Sequence, residues 1–218
     1  MQVKLVSLTK SIVDGEELTP EQLIVYTARV SNPSNQNNHA TAHKLIAYLV
    51  KNKHWSPFEM VDMTVEIQTS RAIAQQILRH RSFVAQEFSQ RYSEVQEFEP
   101  IELRKSGATN RQSSLEVFDP LVFNNHTRAS EAIEQHLKDS QHLYLQLLEA
   151  GVAKECARMV LPLTSSTTIY LKGSVRSWIH YLQIRCDEHT QLEHRKIALS
   201  ILDIFKQNFP NVSTALEL

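Results

Sequence analysis

Arg79-His80-Arg81-Ser82-Phe83-Val84-Ala85-Gln86-Glu87-Phe88-Ser89-Gln90-Arg91-Tyr92 is the stretch on which the reading of this chain turns. It gathers three guanidiniums, the carboxylate of Glu87, the amide of Gln86 and the hydroxyls of Ser89 and Tyr92. Guanidiniums present planar forks of donors that match phosphate and carboxylate oxygens. A hydroxyl and backbone N–H groups at Ser89 can complete an anion site. The plainer reading is a solvated basic turn between two elements, since most charged side chains lie at the surface. The spacing is more specific than such a turn requires: two arginines flank a histidine, and seven residues separate them from a serine.

The flanks place this stretch. Upstream, Val61, Met63, Val65 and Ile67 alternate with Asp62, Thr64, Glu66 and Gln68, which predicts a strand with one buried face. Ser70 can cap a helix running to about Arg81 with Ile73, Ile77 and Leu78 inward, so Arg79 falls near its C-terminal end. Downstream, the stretch continues as a turn and then a strand through Phe98. Residues 99–125, punctuated by Pro100, Gly107, Asn110 and Pro120, read as a long loop.

Further out, residues 3–8 read as a strand. Thr19-Pro20-Glu21-Gln22 is a capping box opening a helix to about Val30. A polar loop over 32–38 contains Pro33, and a helix over 41–52 follows with Leu45, Ile46, Leu49 and Val50 on one face. His54-Trp55-Ser56-Pro57-Phe58-Glu59 breaks the chain at Pro57. Toward the other end, an amphipathic helix over 129–150 stops at Gly151, and a shorter one carries Glu155-Cys156-Ala157-Arg158 up to Pro162. Residues 164–171 read as extended, 174–187 as a helix, and 190–207 as the last helix. No repeat, low-complexity run or linker interrupts this order. The expectation is one α+β domain over 1–218, a mixed sheet packed with helices.

The 218 residues suffice for a sizeable core. A formal net charge of −1 excludes a global field that would draw the chain to nucleic acid, so any anion site is local. Four glycines and no Gly-rich phosphate loop mean that a nucleotide here is held by side chains. Two cysteines, Cys156 and Cys186, lack metal spacing and point to a reducing compartment. The opening residues show no apolar signal core, and no run reaches the roughly 18 apolar residues of a membrane span. The expected setting is the cytoplasm.

A second cluster comprises Arg176, His180, Arg185, Glu188, His189, Gln191 and Glu193. Arg176 and His180 are four apart and share a helix face, and Arg185 and His189 repeat the offset. One reading is a metal site from His180, His189, Glu193 and His194, although no H-E-x-x-H is present and the interleaved arginines repel a cation. Another is a salt-bridged face, Arg185 with Glu188 or His189 with Glu193. Arg158, before Leu161-Pro162, is either a snorkelling residue or an anion ligand. Cys186, beside Arg185, is either an activated thiol or, like Cys156, a small buried hydrophobe. These residues leave open a cysteine- or metal-dependent nucleotide hydrolase and a non-catalytic nucleotide-binding module; the latter lacks a basic, aromatic-laced platform.

Four segments in order resemble the flavin-dependent thymidylate synthase family: Ala28-Arg29-Val30-Ser31 with His54-Trp55-Ser56-Pro57-Phe58-Glu59; Arg79-His80-Arg81, seven residues, Ser89; Ala157-Arg158 with Leu161-Pro162; and Arg176-Ser177 through Arg185, His189, Gln191 and Glu193. The chain departs from the family pattern at Val84, Gln86, Ser174 and His180. The resemblance implies reductive methylation of dUMP to dTMP, with methylenetetrahydrofolate as carbon donor, FAD relaying a hydride and NADPH reducing the flavin. It implies a homotetramer with shared active sites; the residues themselves give no expectation of a metal. It assigns FAD contacts to Ser31, His54, Ser56 and Glu59, to Arg79, His80, Arg81 and Glu87, and to Ser174, Val175, Arg176 and His180. It assigns dUMP contacts to Gln76, Ile77, Leu78 and Arg79, to Glu87, Phe88, Ser89, Gln90 and Arg91, and to Arg158 and Arg185. Ser89 and Arg91 would hold phosphate, and Arg185 would face the uracil imide as the catalytic group, with no cysteine nucleophile.

Overall fold

The computed structural model describes residues 1–95, 97–107 and 114–218; Gln96 and the predicted loop position Asn110 lie outside the described residues. The architecture is α+β. The strands are β1 (Gln2–Leu8), β2 (Ser11–Val13), β3 (Glu16–Leu18), β4 (Asp62–Ser70), β5 (Val84–Glu87), β6 (Arg104–Ser106), β7 (Ser114–Val117), β8 (Leu121–Val122), β9 (Thr127–Arg128) and β10 (Ser166–Ser174). The helices are α1 (Pro20–Ala28), α2 (Ala42–Lys51), α3 (Arg71–Ile77), α4 (Ala129–Glu149), α5 (Lys154–Ala157), α6 (Val175–Arg185), α7 (Leu192–Asn208) and α8 (Pro210–Ala215). The main sheet has the strand order β1-β4-β10-β5, and the pairs β2-β3, β6-β7 and β8-β9 form ribbons.

The described residues divide into two compact units. One comprises residues 2–67, 78–86 and 170–218. Its core is built on the alternation of β4: Val61, Met63, Val65 and Ile67 are fully buried. Trp178 of α6 joins them and donates its indole N–H to the Met63 carbonyl at 2.9 Å. Thr19 caps α1 as expected, with Gln22 N–H on Thr19 Oγ1 at 3.2 Å and Thr19 N–H on Gln22 Oε1 at 2.8 Å. Buried Glu21 accepts from Val212 N–H at 2.9 Å and from Asn211 Nδ2 at 2.6 Å, tying α1 to α8. Arg29, buried, clamps the loop after α1 through the carbonyls of Asn35 and Asn38 and the hydroxyl of Thr41. Ser174 is both the last residue of β10 and the N-cap of α6, accepting from Ser177 N–H at 3.3 Å.

The other unit comprises Met1 and residues 68–77 and 87–169. Its long helix α4 buries Ala129, Ser140 and Tyr144, and Ser140 donates to the Val160 carbonyl at 2.7 Å. Asp119 accepts from Ser130 N–H at 2.9 Å and from its hydroxyl at 2.7 Å, satisfying the start of α4. Gly151, at φ +86°, turns the chain out of it.

The structure corrects several expectations. α3 ends at Ile77, not Arg81, and Leu78 is exposed. The chain turns there because Phe83 packs on Trp178 at 4.5 Å between ring centroids, a tertiary contact that overrides helical propensity. The strand expected through Phe98 is confined to β5, and Phe98 makes only an isolated bridge to Ser165. Within 99–125, the described residues form the β6-β7 ribbon and the start of β8-β9 rather than a structureless loop. A β2-β3 hairpin, not among the expected elements, turns at Asp14-Gly15, with φ of 53° and 85°. The helix expected over 190–207 is α7, and a further short helix, α8, follows it, opened by Pro210.

Candidate active site

Within the first unit, the junction of β10 and α6 holds three of the expected residues together. Glu59 lies in a 3-10 turn over Ser56–Met60. Its Oε2 accepts from the Ser174 hydroxyl at 2.5 Å and its Oε1 from Arg176 Nη1 at 2.9 Å. Ser177 Oγ lies 3.4 Å from the Ser82 carbonyl, which brings the segment after Arg81 to the same place. Trp55, Glu59, Ser82, Arg176, Ser177, Ile179, His180 and Gln183 line a cavity of about 510 Å³ here. Ser56 is exposed at the start of the 3-10 turn, and exposed His54 packs its ring edge-on to Tyr48 at 5.9 Å. Ser31 is exposed. Val175 is buried and contributes its backbone to the junction, donating to the Val61 carbonyl at 2.8 Å.

Arg79 and Arg81 are exposed, and neither guanidinium has a partner among the described residues. His80, between them, points the other way. Its Nε2 accepts from Arg185 Nε at 2.8 Å. Its ring meets the edge of Tyr181 at 4.9 Å and Phe83 at 6.4 Å. Behind it, the Tyr181 hydroxyl and His194 Nε2 are 3.0 Å apart. Burial, reinforced by the Arg185 charge and by His180, pushes His80 down to about 4. Burial and the same Arg185 charge push His194 down to about 3. Both imidazoles are therefore neutral near pH 7, and burial raises the Tyr181 hydroxyl above its ordinary value. Since His80 Nε2 accepts, its proton sits on Nδ1. Arg185 is half-buried, and its two terminal nitrogens have no partner among the described residues.

The second unit gathers the remaining candidates. Glu87 accepts from Thr167 Oγ1 at 3.0 Å and pairs with Arg71 at 3.3 Å. The chain then turns over Ser89, with Tyr92 N–H and Ser93 N–H both on the Ser89 carbonyl at 3.1 Å. Arg91 pairs with Glu155 at 3.1 Å, and Arg158 Nε donates to the Glu155 carbonyl at 3.3 Å, so one residue of α5 collects both arginines. Gln90 is buried, Phe88 and Ser89 half-buried. Gln76 and Ile77 lie in the last turn of α3, Ile77 fully buried. Phe88 and Tyr92 also line a cavity of about 720 Å³ with Glu94, Glu97, Glu99 and Lys154.

Sequence reasoning did not pick out Arg71, Thr167, Glu155 or Tyr181 as site partners; Thr167 meets Glu87 and Glu155 meets Arg91 across long sequence separations with no local signal. Arg185 meets His80 rather than Glu188, and His189 pairs with Asp187 at 2.8 Å rather than with Glu193. Among the described residues no group of three His, Cys, Asp or Glu is placed to hold a metal ion. Cys156 is exposed, and burial raises the Cys186 thiol, which disfavours a thiolate there. No helix among the described residues is long and apolar enough to cross a membrane. The lining of the cavity at the β10-α6 junction suits a large anionic cofactor with a planar ring: the guanidinium of Arg176, held by Glu59, the hydroxyl of Ser177 and the ring of Trp55 lie beside it.

The profile described as thymidylate synthase complementing protein matches residues 14–211. A flavin-dependent thymidylate synthase of Synechocystis is 52% identical over 219 residues, covering all of both chains. A probable flavin-dependent thymidylate synthase of Paramecium bursaria Chlorella virus 1 is 47% identical, covering all of this chain and 99% of its own. Among solved structures, a UMP/dUMP methylase, PolB, from Streptomyces cacaoi, bound with 5-Br dUMP, superposes with a TM-score of 0.82 at 25% identity, covering 99% of this chain and 94% of its own. A match that runs nearly end to end, through all four segments that carry the resemblance, settles the kinship: the chain belongs to the flavin-dependent thymidylate synthase family.

Proposed function

We propose that this protein converts dUMP to dTMP by reductive methylation, the whole of 1–218 acting as one functional domain. The observation that carries the reading is Arg185: a half-buried guanidinium fixed through Nε, with both terminal nitrogens free to meet a planar anion. Its role is to face the uracil imide. A cation there lowers the energy of negative charge spreading onto the ring, so carbon 5 becomes nucleophilic without a covalent thiol. The raised Cys186 thiol and the exposed setting of Cys156 support a mechanism with no cysteine nucleophile.

The overall change balances as follows. The methylene carbon of methylenetetrahydrofolate bonds to carbon 5 and leaves the folate nitrogens. The carbon 5 proton is lost, a hydride reduces the new substituent to methyl, and NADPH ends as NADP⁺. Bound FAD supplies hydride relay. The residues that would hold it are Ser31, His54, Ser56 and Glu59, with Arg79, His80, Arg81 and Glu87, and the backbone and side chains of Ser174 through Arg176 with His180. Glu59 orients Arg176 for this task while Ser174 holds the other oxygen of the same carboxylate. The residues that would hold dUMP are Gln76, Ile77, Leu78 and Arg79, the Glu87–Arg91 segment, Arg158 and Arg185. The phosphate would fall to Ser89 and Arg91, whose guanidinium must then exchange or share Glu155. A homotetramer with active sites shared between subunits, in the cytoplasm, completes the proposal. The test is tritium release from dUMP labelled at carbon 5, with folate, FAD and NADPH each omitted in turn. Release is expected only with the complete set plus FAD, and release that survives without any flavin would refute the reading.

A further inference from the structure

We propose that His80 is a positioning residue for Arg185: its neutral imidazole holds the guanidinium by Nε so that the two terminal nitrogens face the uracil ring. The inference rests on the dUMP reading above and adds a role that binding of a cofactor by the Arg79-His80-Arg81 stretch does not contain. The geometry assigns the role. Arg185 Nε donates to His80 Nε2 at 2.8 Å, and the accepting nitrogen leaves the ring proton on Nδ1. The ring that accepts is itself held. Tyr181 meets it at 4.9 Å and Phe83 at 6.4 Å, both edge-on, and Tyr181 is anchored by its hydroxyl on His194 at 3.0 Å. An arginine fixed through Nε keeps its fork of Nη1 and Nη2 donors pre-organised, which is how a guanidinium recognises a planar partner most strongly. A carboxylate at the position of His80 would also accept from Nε. It would neutralise the cation, however, and remove the field that the ring chemistry needs. A neutral acceptor orients the charge and leaves it intact.

The experiment measures dUMP binding calorimetrically and FAD binding by flavin fluorescence, on the purified full chain, for His80→Ala, His80→Gln and His80→Phe, each alone and combined with Arg185→Ala. Gln carries an amide oxygen close to where Nε2 stands. Phe keeps the ring packing against Tyr181 and Phe83 but accepts nothing, so it separates positioning from folding. Loss of one hydrogen bond to a charged group predicts roughly tenfold weaker dUMP binding for His80→Ala and His80→Phe. His80→Gln is expected to recover most of that loss. In the Arg185→Ala background, all three substitutions are expected to change dUMP affinity less than about twofold, because the group they position is gone. Equal losses with and without Arg185, His80→Gln no better than His80→Phe, or a defect confined to FAD binding would each overturn the proposal. A wild-type chain that binds no dUMP would sink the functional reading, and this proposal with it; wild-type binding with uncoupled losses sinks this proposal alone.

Discussion

At the scale of single residues, Arg185 and Gly173 carry the sharpest expectations. Arg185→Ala should weaken dUMP binding and slow turnover together, by roughly a hundredfold in kcat/KM, the size expected when a charge-assisted donor pair is lost. Arg185→Lys should restore part of the field but little of the planar geometry. NADPH oxidation without dUMP should change little in either variant, since that half of the reaction does not need the ring; steady-state kinetics with and without dUMP check it. The second case is steric. A Cβ at Gly173 would lie 2.5 Å from Cδ1 and Cε1 of Phe83, nearer than real carbons approach. Phe83 is wedged against Trp178 and Tyr181 at 4.5 Å and 5.8 Å, so it has little room to retreat. Gly173→Ala should therefore lower stability by about 1–3 kcal/mol, as overpacking does. Adding Phe83→Leu should return part of it in chemical denaturation; a double variant no better than the single one counts against the wedge. The cysteines supply the converse expectation. Cys156→Ala with Cys186→Ala should keep most of its methylation activity, and an inactive but folded double variant would favour a thiolate mechanism.

At the scale of elements, the tie between α1 and α8 is the one most open to test. Glu21 is buried in the first turn of α1 and satisfies Val212 N–H and Asn211 Nδ2 at the start of α8. Glu21→Ala strands both donors and should cost about 1–3 kcal/mol, read from the urea midpoint. Glu21→Gln keeps one acceptor and should cost less. The elements also divide by how they could be read. α1, α2, α4, α6 and β4 were legible because each buries a stripe or an alternate face, and the pattern is local. The ribbons were not: β8 and β9 are two residues each and β6 three, too short for a period to register. α3 was over-extended because nothing nearby announces that Phe83 must return to Trp178. The site divides the same way. The arginines of the opening stretch stand out in the sequence as candidate anion ligands, whereas the His80–Arg185 bond joins positions 105 apart and has no signature in either neighbourhood.

At the scale of the whole molecule, acid stability should carry the mark of two neutral histidines, half-buried His80 and buried His194. His80 and His194 have folded values near 4 and 3, below the ordinary 6.5. Between those limits the unfolded chain binds more protons than the folded one, so each histidine contributes stability above pH 6.5 that is lost as pH falls toward its folded value. The urea midpoint should therefore fall from pH 7 to pH 4. In His194→Gln, whose amide can still meet Tyr181, the fall should be shallower; an unchanged slope would show that other groups govern the acid limb. Finally, the union of strand end and helix cap in Ser174 has a consequence for how the chain can change length. No spare residue separates β10 from α6, so one inserted after Ser174 would rotate the helix by about 100° and advance it by about 1.5 Å. Arg185, three turns on, would turn by the same angle about the helix axis and lose its register with His80. Deletions and duplications in homologous chains should accordingly be sparse between 166 and 185 and concentrate at the ribbon turns, and a one-residue insertion at this junction should abolish dUMP binding while a matching one at Asp14-Gly15 leaves it intact.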